Sequence, residues 1–163
     1  MNSALLVTNT INKYFNALGS CFLGTRSRPV VRAIHDKLEL ARKAGNPIVF
    51  IKDAVNEPQT KKEKFNNTFL EELSPLKKEI VILMRRPNAF SGTPLMDILT
   101  EKRINELVIV GAHTNTSVFF TAIEAKWRGF SVIILEDCVI SDDKVAHAVF
   151  MNEMAKKHGI EVF

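Results

Sequence analysis

Residues 106–120 read ELVIVGAHTNTSVFF, and this stretch limits the fold more than any other. Leu107, Val108, Ile109 and Val110 form an unbroken apolar run, the pattern of a strand buried on both faces. Gly111 breaks the run. Thr114 or Asn115 can cap a helix, behind which Val118, Ala122 and Ala125 recur at helical spacing. A buried parallel strand therefore enters a helix across a joint of small polar residues. Open α/β sheets bind ligands at such joints, against free amides and a helix N-terminus. Any α/β chain has several of them, so the joint alone establishes no site.

The pattern repeats along the chain. Residues 4–8 (ALLVT), 47–52 (PIVFIK), 79–84 (EIVILM), 131–135 and 160–163 read as further strands. Pro29 opens a helix to about Ala44, with Val31, Ile34, Leu38 and Ala41 as its stripe and Gly45 as its stop. Pro94 starts a short helix to Glu101, and Gly129 stops the one that ends at Arg128. Asp142 or Asp143 caps the last helix, whose stripe is Val145, Ala148, Met151 and Ala155. Residues 9–28 and 53–64 read as loops, and 65–73 as either loop or short helix. This alternation predicts an α/β fold, a three-layer αβα sandwich of Rossmann-like kind. Its sheet is mainly parallel, of about six strands, with helices on both faces. The 163 residues suit a single domain over residues 1–163.

Lys and Arg total 22 against 18 Asp and Glu, a net charge of +4, and the basic residues are scattered. No basic helix face interleaved with aromatics stands out, so no nucleic-acid partner is expected. The 2 cysteines, Cys21 and Cys138, form neither a CxxC pair nor an evident disulfide framework, which points to a reducing cytoplasm. The apolar run at residues 4–7 is too short for a signal peptide, and no stretch approaches membrane-spanning length.

Unusual loops follow three of the strands: Asn9 after the first, residues 85–93 after the third and 113–117 after the fourth. If the strand order reverses between the first and fourth strands, these loops converge on one pocket. Here the sequence resembles the isochorismatase-like (cysteine hydrolase) superfamily, which includes nicotinamidases and carbamoylases. Residues 4–15, ALLVTNTINKYF, resemble its opening strand and aspartate loop. Residues 86–95, RPNAFSGTPL, resemble the segment after its lysine, and 110–118, VGAHTNTSV, its GxxTxxCV motif. Ala122, Ala125, Arg128, Gly129, Glu136, Asp137 and Ser141 fit the following helix and turn.

The resemblance implies a catalytic Asp, Lys and Cys, and all three positions are substituted. They fall on Asn9, Met84 and Ser117. An amide cannot act as a general base near neutral pH. A thioether carries neither charge nor donor. A hydroxyl is a far weaker nucleophile than a thiolate unless a base activates it. The vinyl-ether-cleaving members that lack the cysteine keep the aspartate, so Asn9 closes that route too.

His113, on the turn where the resemblance implies a cis peptide after Ala112, could act as base to Ser117. The plainer reading makes it a pocket wall. Arg85 or Arg86 could bind a carboxylate or phosphate if its side chain enters the pocket. Asn88, Phe90, Thr114 and Tyr14 complete the expected substrate-binding set, and Trp127 is a further apolar-wall candidate. Cys21 is a possible displaced nucleophile and Cys138 a small buried filler. Neither metal nor cofactor is expected, since Asp53 is followed two residues later by Val55 instead of the histidine of metal-binding members. The favoured expectation is a family member without standard cysteine-hydrolase activity that binds a small molecule or assembles as a homo-oligomer, with Ala122, Ala125 and Trp127 as interface suspects. The alternative is a hydrolase of small amides, carbamates or esters with a site rebuilt around Ser117.

Overall fold

The computed structural model describes residues 2–163. Strands β1 (Ser3–Thr8), β2 (Ile48–Asp53), β3 (Ile80–Met84), β4 (Glu106–Ala112), β5 (Ser131–Ile140) and β6 (Glu161–Val162) form one parallel sheet. Their order is β3-β2-β1-β4-β5-β6, so the sheet reverses between β1 and β4, as the loop argument requires. β1 is central and apolar on both faces, and Leu5, Leu6 and Val7 are buried.

Helices α1 (Asn12–Phe15), α2 (Ser27–Ala44), α3 (Lys61–Asn66), α4 (Leu95–Glu101), α5 (Phe119–Trp127) and α6 (Lys144–Lys157) flank it. One core joins Leu6, Val49, Ile51, Leu107 and Ile109 to Leu95 and Leu99 of α4, Ala122 and Ala125 of α5, and Met151 and Met154 of α6. On the other face Leu5, Val7 and Phe50 meet Tyr14 and Phe15 of α1 and Ile34, Leu38 and Ala41 of α2. Gly45 ends α2 in the left-handed conformation (φ 71°), with its N–H bonded to the Ala41 and Arg42 carbonyls. The Arg42 guanidinium forks onto Glu79 at 2.8 and 2.9 Å and ties α2 to the start of β3.

Several expectations change. α2 begins at Ser27, because the Ser27 N–H and hydroxyl both bond to the Gly24 carbonyl ahead of Pro29. Residues 9–28 include α1, and residues 53–64 run into α3. A capping box starts α3: Thr60 Oγ1 accepts from the Glu63 N–H at 3.1 Å, and Glu63 accepts from the Thr60 N–H at 3.0 Å. α3 buries no residue, so no apolar period marks it. Residues 65–73 hold the end of α3 and one 3₁₀ turn, Glu71–Leu73.

β5 continues past residue 135 to Ile140. Pairing with β4 jumps from Ile109–Ile134 to Gly111–Val139, and the exposed Glu136 and Asp137 bulge out between. At the β3 edge the expected helix cover is missing on one face, where Val81 and Leu83 are exposed. α6 buries Met151 and Met154, whereas Val145, Ala148 and Ala155 face outward. The helix presents a face rotated from the expected stripe, with Phe150 as its partly buried flank.

Candidate active-site cleft

The ends of β1, β2, β3 and β4 surround a cleft of about 300 Å³. Asn9, Tyr14, Asp53, Met84, Arg85, Arg86, His113 and Ser117 all line it. Asn9, Met84 and Ser117 therefore meet in one place although they are far apart in sequence. The reversal of strand order after β1 accounts for this, since it leaves a crevice between the first turn and the turn after β4.

The floor is tight. Gly111 lies at φ 115°, and a Cβ built there would sit 1.9 Å from the Thr8 carbonyl oxygen. Only glycine lets β4 approach β1 so closely. The Ala112–His113 peptide is cis, in the place that the resemblance implied. A single π turn, Thr114–Val118, then leads into α5.

Neither Thr114 nor Asn115 caps that helix. The Thr114 hydroxyl is 2.8 Å from His147 Nδ1 on α6, and Asn115 Oδ1 accepts from the Ser141 hydroxyl at 2.7 Å. The Arg26 guanidinium donates to the Ser141 and Asp142 carbonyls and so fastens the segment before α2 to the end of β5.

Asn9 is a cross-brace. Its φ of 52° is a left-handed conformation that asparagine tolerates. Its Nδ2 donates to Asp53 Oδ1 at 3.2 Å and to Ser117 Oγ at 3.5 Å, while its Oδ1 accepts from the Asp53 N–H at 2.8 Å. The Ser117 hydroxyl is equally committed. It donates to the Ala112 carbonyl at 2.9 Å and accepts from the His113 peptide N–H at 3.2 Å as well as from Asn9. Its only proton is engaged and both lone pairs have donors.

The His113 ring makes no hydrogen bond to Ser117. It packs edge-on against Tyr14, with ring centroids 4.4 Å apart. Burial pushes its imidazole below the ordinary range, against the opposing pull of Asp142 and Asp53. Burial, and then the charge of Asp53, push the Tyr14 phenol well above its ordinary value. The Tyr14 hydroxyl donates to Asp53 Oδ2 at 3.4 Å. Met84 is 1% exposed and brings an apolar side chain to the cleft.

Other expected site residues lie elsewhere. Asn88 accepts from the Phe90 N–H at 3.0 Å and shapes the turn. Phe90 is core, 6.1 Å from the Phe130 ring and 5.2 Å from the Arg128 guanidinium. Thr114 is buried against α6. Trp127 is no pocket wall, being 74% exposed at the end of α5. Cys21 is exposed and does not line the cleft. Cys138 is buried, its thiol pushed up to about 12 by burial and by its bond to Asp137. Asp53, by sequence only an unfulfilled metal ligand, is a carboxylate that lines the cleft. It is the register partner of Met84, a pairing that the apolar runs of β2 and β3 do not specify.

A family model, the isochorismatase domain, matches residues 3–162. The chain belongs to the isochorismatase family. Among relatives, the uncharacterized isochorismatase family protein YaaI of Bacillus subtilis is 27% identical over 149 residues, covering 86% of this chain and 82% of YaaI. The nicotinamidase PncA of Bacillus subtilis superposes with a TM-score of 0.89 at 23% identity over 99% of both chains. The pyrazinamidase/nicotinamidase of Streptococcus mutans gives 0.87 at 22% identity, again over 99% of both. At these identities the superpositions establish the fold alone. Within this isochorismatase fold, no group of three or more His, Cys, Asp or Glu side chains among the described residues is placed to hold a metal. Nor, among the described residues, is any helix long and apolar enough to cross a membrane.

Proposed function

We propose that this isochorismatase-family protein does not run the cysteine-hydrolase reaction and that its strand-end cleft binds a small polar molecule. The observation that carries the reading is the full engagement of Ser117, whose proton goes to the Ala112 carbonyl and whose lone pairs take two N–H donors. An alcohol in that state needs a base to free it, and Asn9, Met84 and the His113 ring do not supply one. The cleft keeps amide, phenol, carboxylate and guanidinium groups, so binding survives where nucleophilic attack does not.

A panel of small amides, carbamates and vinyl ethers, offered to wild type and Ser117→Ala, tests this by calorimetry and mass spectrometry. Binding without turnover is the expected result. Turnover that vanishes in Ser117→Ala establishes the alternative, a hydrolase rebuilt around Ser117, and overturns the reading.

Self-association belongs to the same proposal. Ala122 and Ala125 are fully buried and unavailable, but Trp127, Phe120, Val145 and Val149 stand exposed on α5 and α6. A homodimer or larger homo-oligomer is expected, and a clean monomer by light scattering would remove it. Cys21 and Cys138 are both free, which supports a cytoplasmic location.

A further inference from the structure

The cleft carries charge of both signs, and its charged groups are not paired with each other. The Asp53 carboxylate is half-buried and accepts only from neutral donors, Asn9 Nδ2 and the Tyr14 hydroxyl. Among the described residues, no ion pair involves Asp53, Arg85 or Arg86. Yet Asp53 is the register partner of Met84, so Arg85 leaves β3 about one strand spacing (~4.8 Å) from the end of β2. Opposite charges this near in sequence register would ordinarily close on each other. Here both arginines are exposed at the mouth and the carboxylate stays inside.

A second recess of about 380 Å³ shares Tyr14 and Asp53 with the cleft. Glu57 and Glu63 line it too. Its Lys13 stands over the Tyr14 ring, 5.1 Å from the centroid, and is not within ion-pair reach of Asp53. Carboxylates thus outnumber the one ammonium in the recess, while two guanidinium groups line the mouth.

From this juxtaposition we propose that the ligand is a small zwitterion, with an ammonium-type head seated on Asp53 and a carboxylate held by Arg85 and Arg86. The proposal rests on the ligand-binding reading above and names the chemical class for that same cleft. A guanidinium fork matches a carboxylate in plane and in spacing, and two adjacent arginines can clasp both of its oxygens. An ammonium head gives Asp53 the charged donor that Asn9 and Tyr14 do not. Tyr14 and His113, at right angles to each other, wall the space between the two ends. The volume suits a molecule at the small end of ligand size.

The test titrates the full chain with β-alanine, 4-aminobutyrate and 6-aminohexanoate by calorimetry and by backbone amide NMR. Butyrate, butylammonium and nicotinamide serve as comparison probes. One of the amino acids is expected to bind at least about tenfold more tightly than butyrate and butylammonium. The amides of Asp53, Arg85 and residues 113–117 are expected to shift. Asp53→Asn should bring that affinity down to within about twofold of butyrate, and the double variant Arg85→Gln, Arg86→Gln should bring it down to that of butylammonium. The arginines are exposed, so the double variant reports even if Asp53→Asn disturbs folding. If a single-charge probe or nicotinamide binds as tightly as every amino acid and shifts the cleft amides, the zwitterion class is wrong while ligand binding stands. If no probe shifts those amides, both fall.

Discussion

Replacing Asn9 with alanine removes a brace that links three strand ends, and its cost follows from the bonds it makes. The Asp53 N–H loses its acceptor at 2.8 Å, and an orphaned backbone donor costs about 1–3 kcal/mol. The longer bonds to the Asp53 carboxylate and to Ser117, at 3.2 and 3.5 Å, add about 1 kcal/mol between them. Alanine at φ 52° gives up the left-handed tolerance of asparagine, about 1 kcal/mol more. The sum is about 3–5 kcal/mol. Urea unfolding is the assay, and with a slope of about 2 kcal/mol/M the midpoint falls by about 1.5–2.5 M at unchanged slope. A loss below about 1 kcal/mol would refute the brace. Asn9→Asp separates charge from shape. It sets a second carboxylate where Nδ2 now donates to Asp53, and the repulsion of like charges is expected to lower the urea midpoint at neutral pH although the shape of the side chain is kept.

Gly111→Ala adds a Cβ that would overlap the Thr8 carbonyl at 1.9 Å in a conformation alanine rarely adopts, and the expected loss is at least about 3 kcal/mol by chemical denaturation. Glu79 is held below the ordinary carboxylate range: burial opposes this, but the Arg42 fork and the Leu76 N–H outweigh it. Its stabilising contribution is present above the ordinary carboxylate value and lost as pH falls through the lowered one, so Glu79→Gln flattens the acid limb of a stability–pH curve below about pH 4.5. Burial holds the His147 imidazole below its ordinary value, so the unfolded chain takes up the proton first and stability falls as pH drops below about 6.5. His147→Gln should shrink the difference between melting temperatures at pH 7.5 and 5.5.

The strands were legible because their apolar runs are short and unbroken, and the reversal of the sheet brought Asn9, Met84 and Ser117 together as the loop argument required. The failures have separate physical causes. α3 is held by a capping box and buries nothing, so periodicity could not find it. The β5 bulge hides a continued strand behind Glu136 and Asp137. Phe90 and Asn88 share a loop with Arg85 and Arg86 but turn into the core and into the turn itself, a division that depends on Phe90 packing against Phe130 and on the Ala89 N–H donating to the Thr121 hydroxyl. Asp53 was passed over because a lone carboxylate at a strand end says little until its neighbours across the sheet are known.

The contact between Gly111 and Thr8 also bears on how the protein moves. With no side chain between them, β1 and β4 meet backbone to backbone, and the floor of the cleft has no soft layer in which to flex. The mouth is built the opposite way, from exposed arginines and the surface segment after β2. Amide protons of Thr8 and Val110 should exchange with solvent only on global unfolding, and those of Val55, Asn56 and Glu57 within seconds to minutes. On the proposed ligand-binding reading, recognition divides by timescale: the floor is a fixed template and the rim is the part that adjusts.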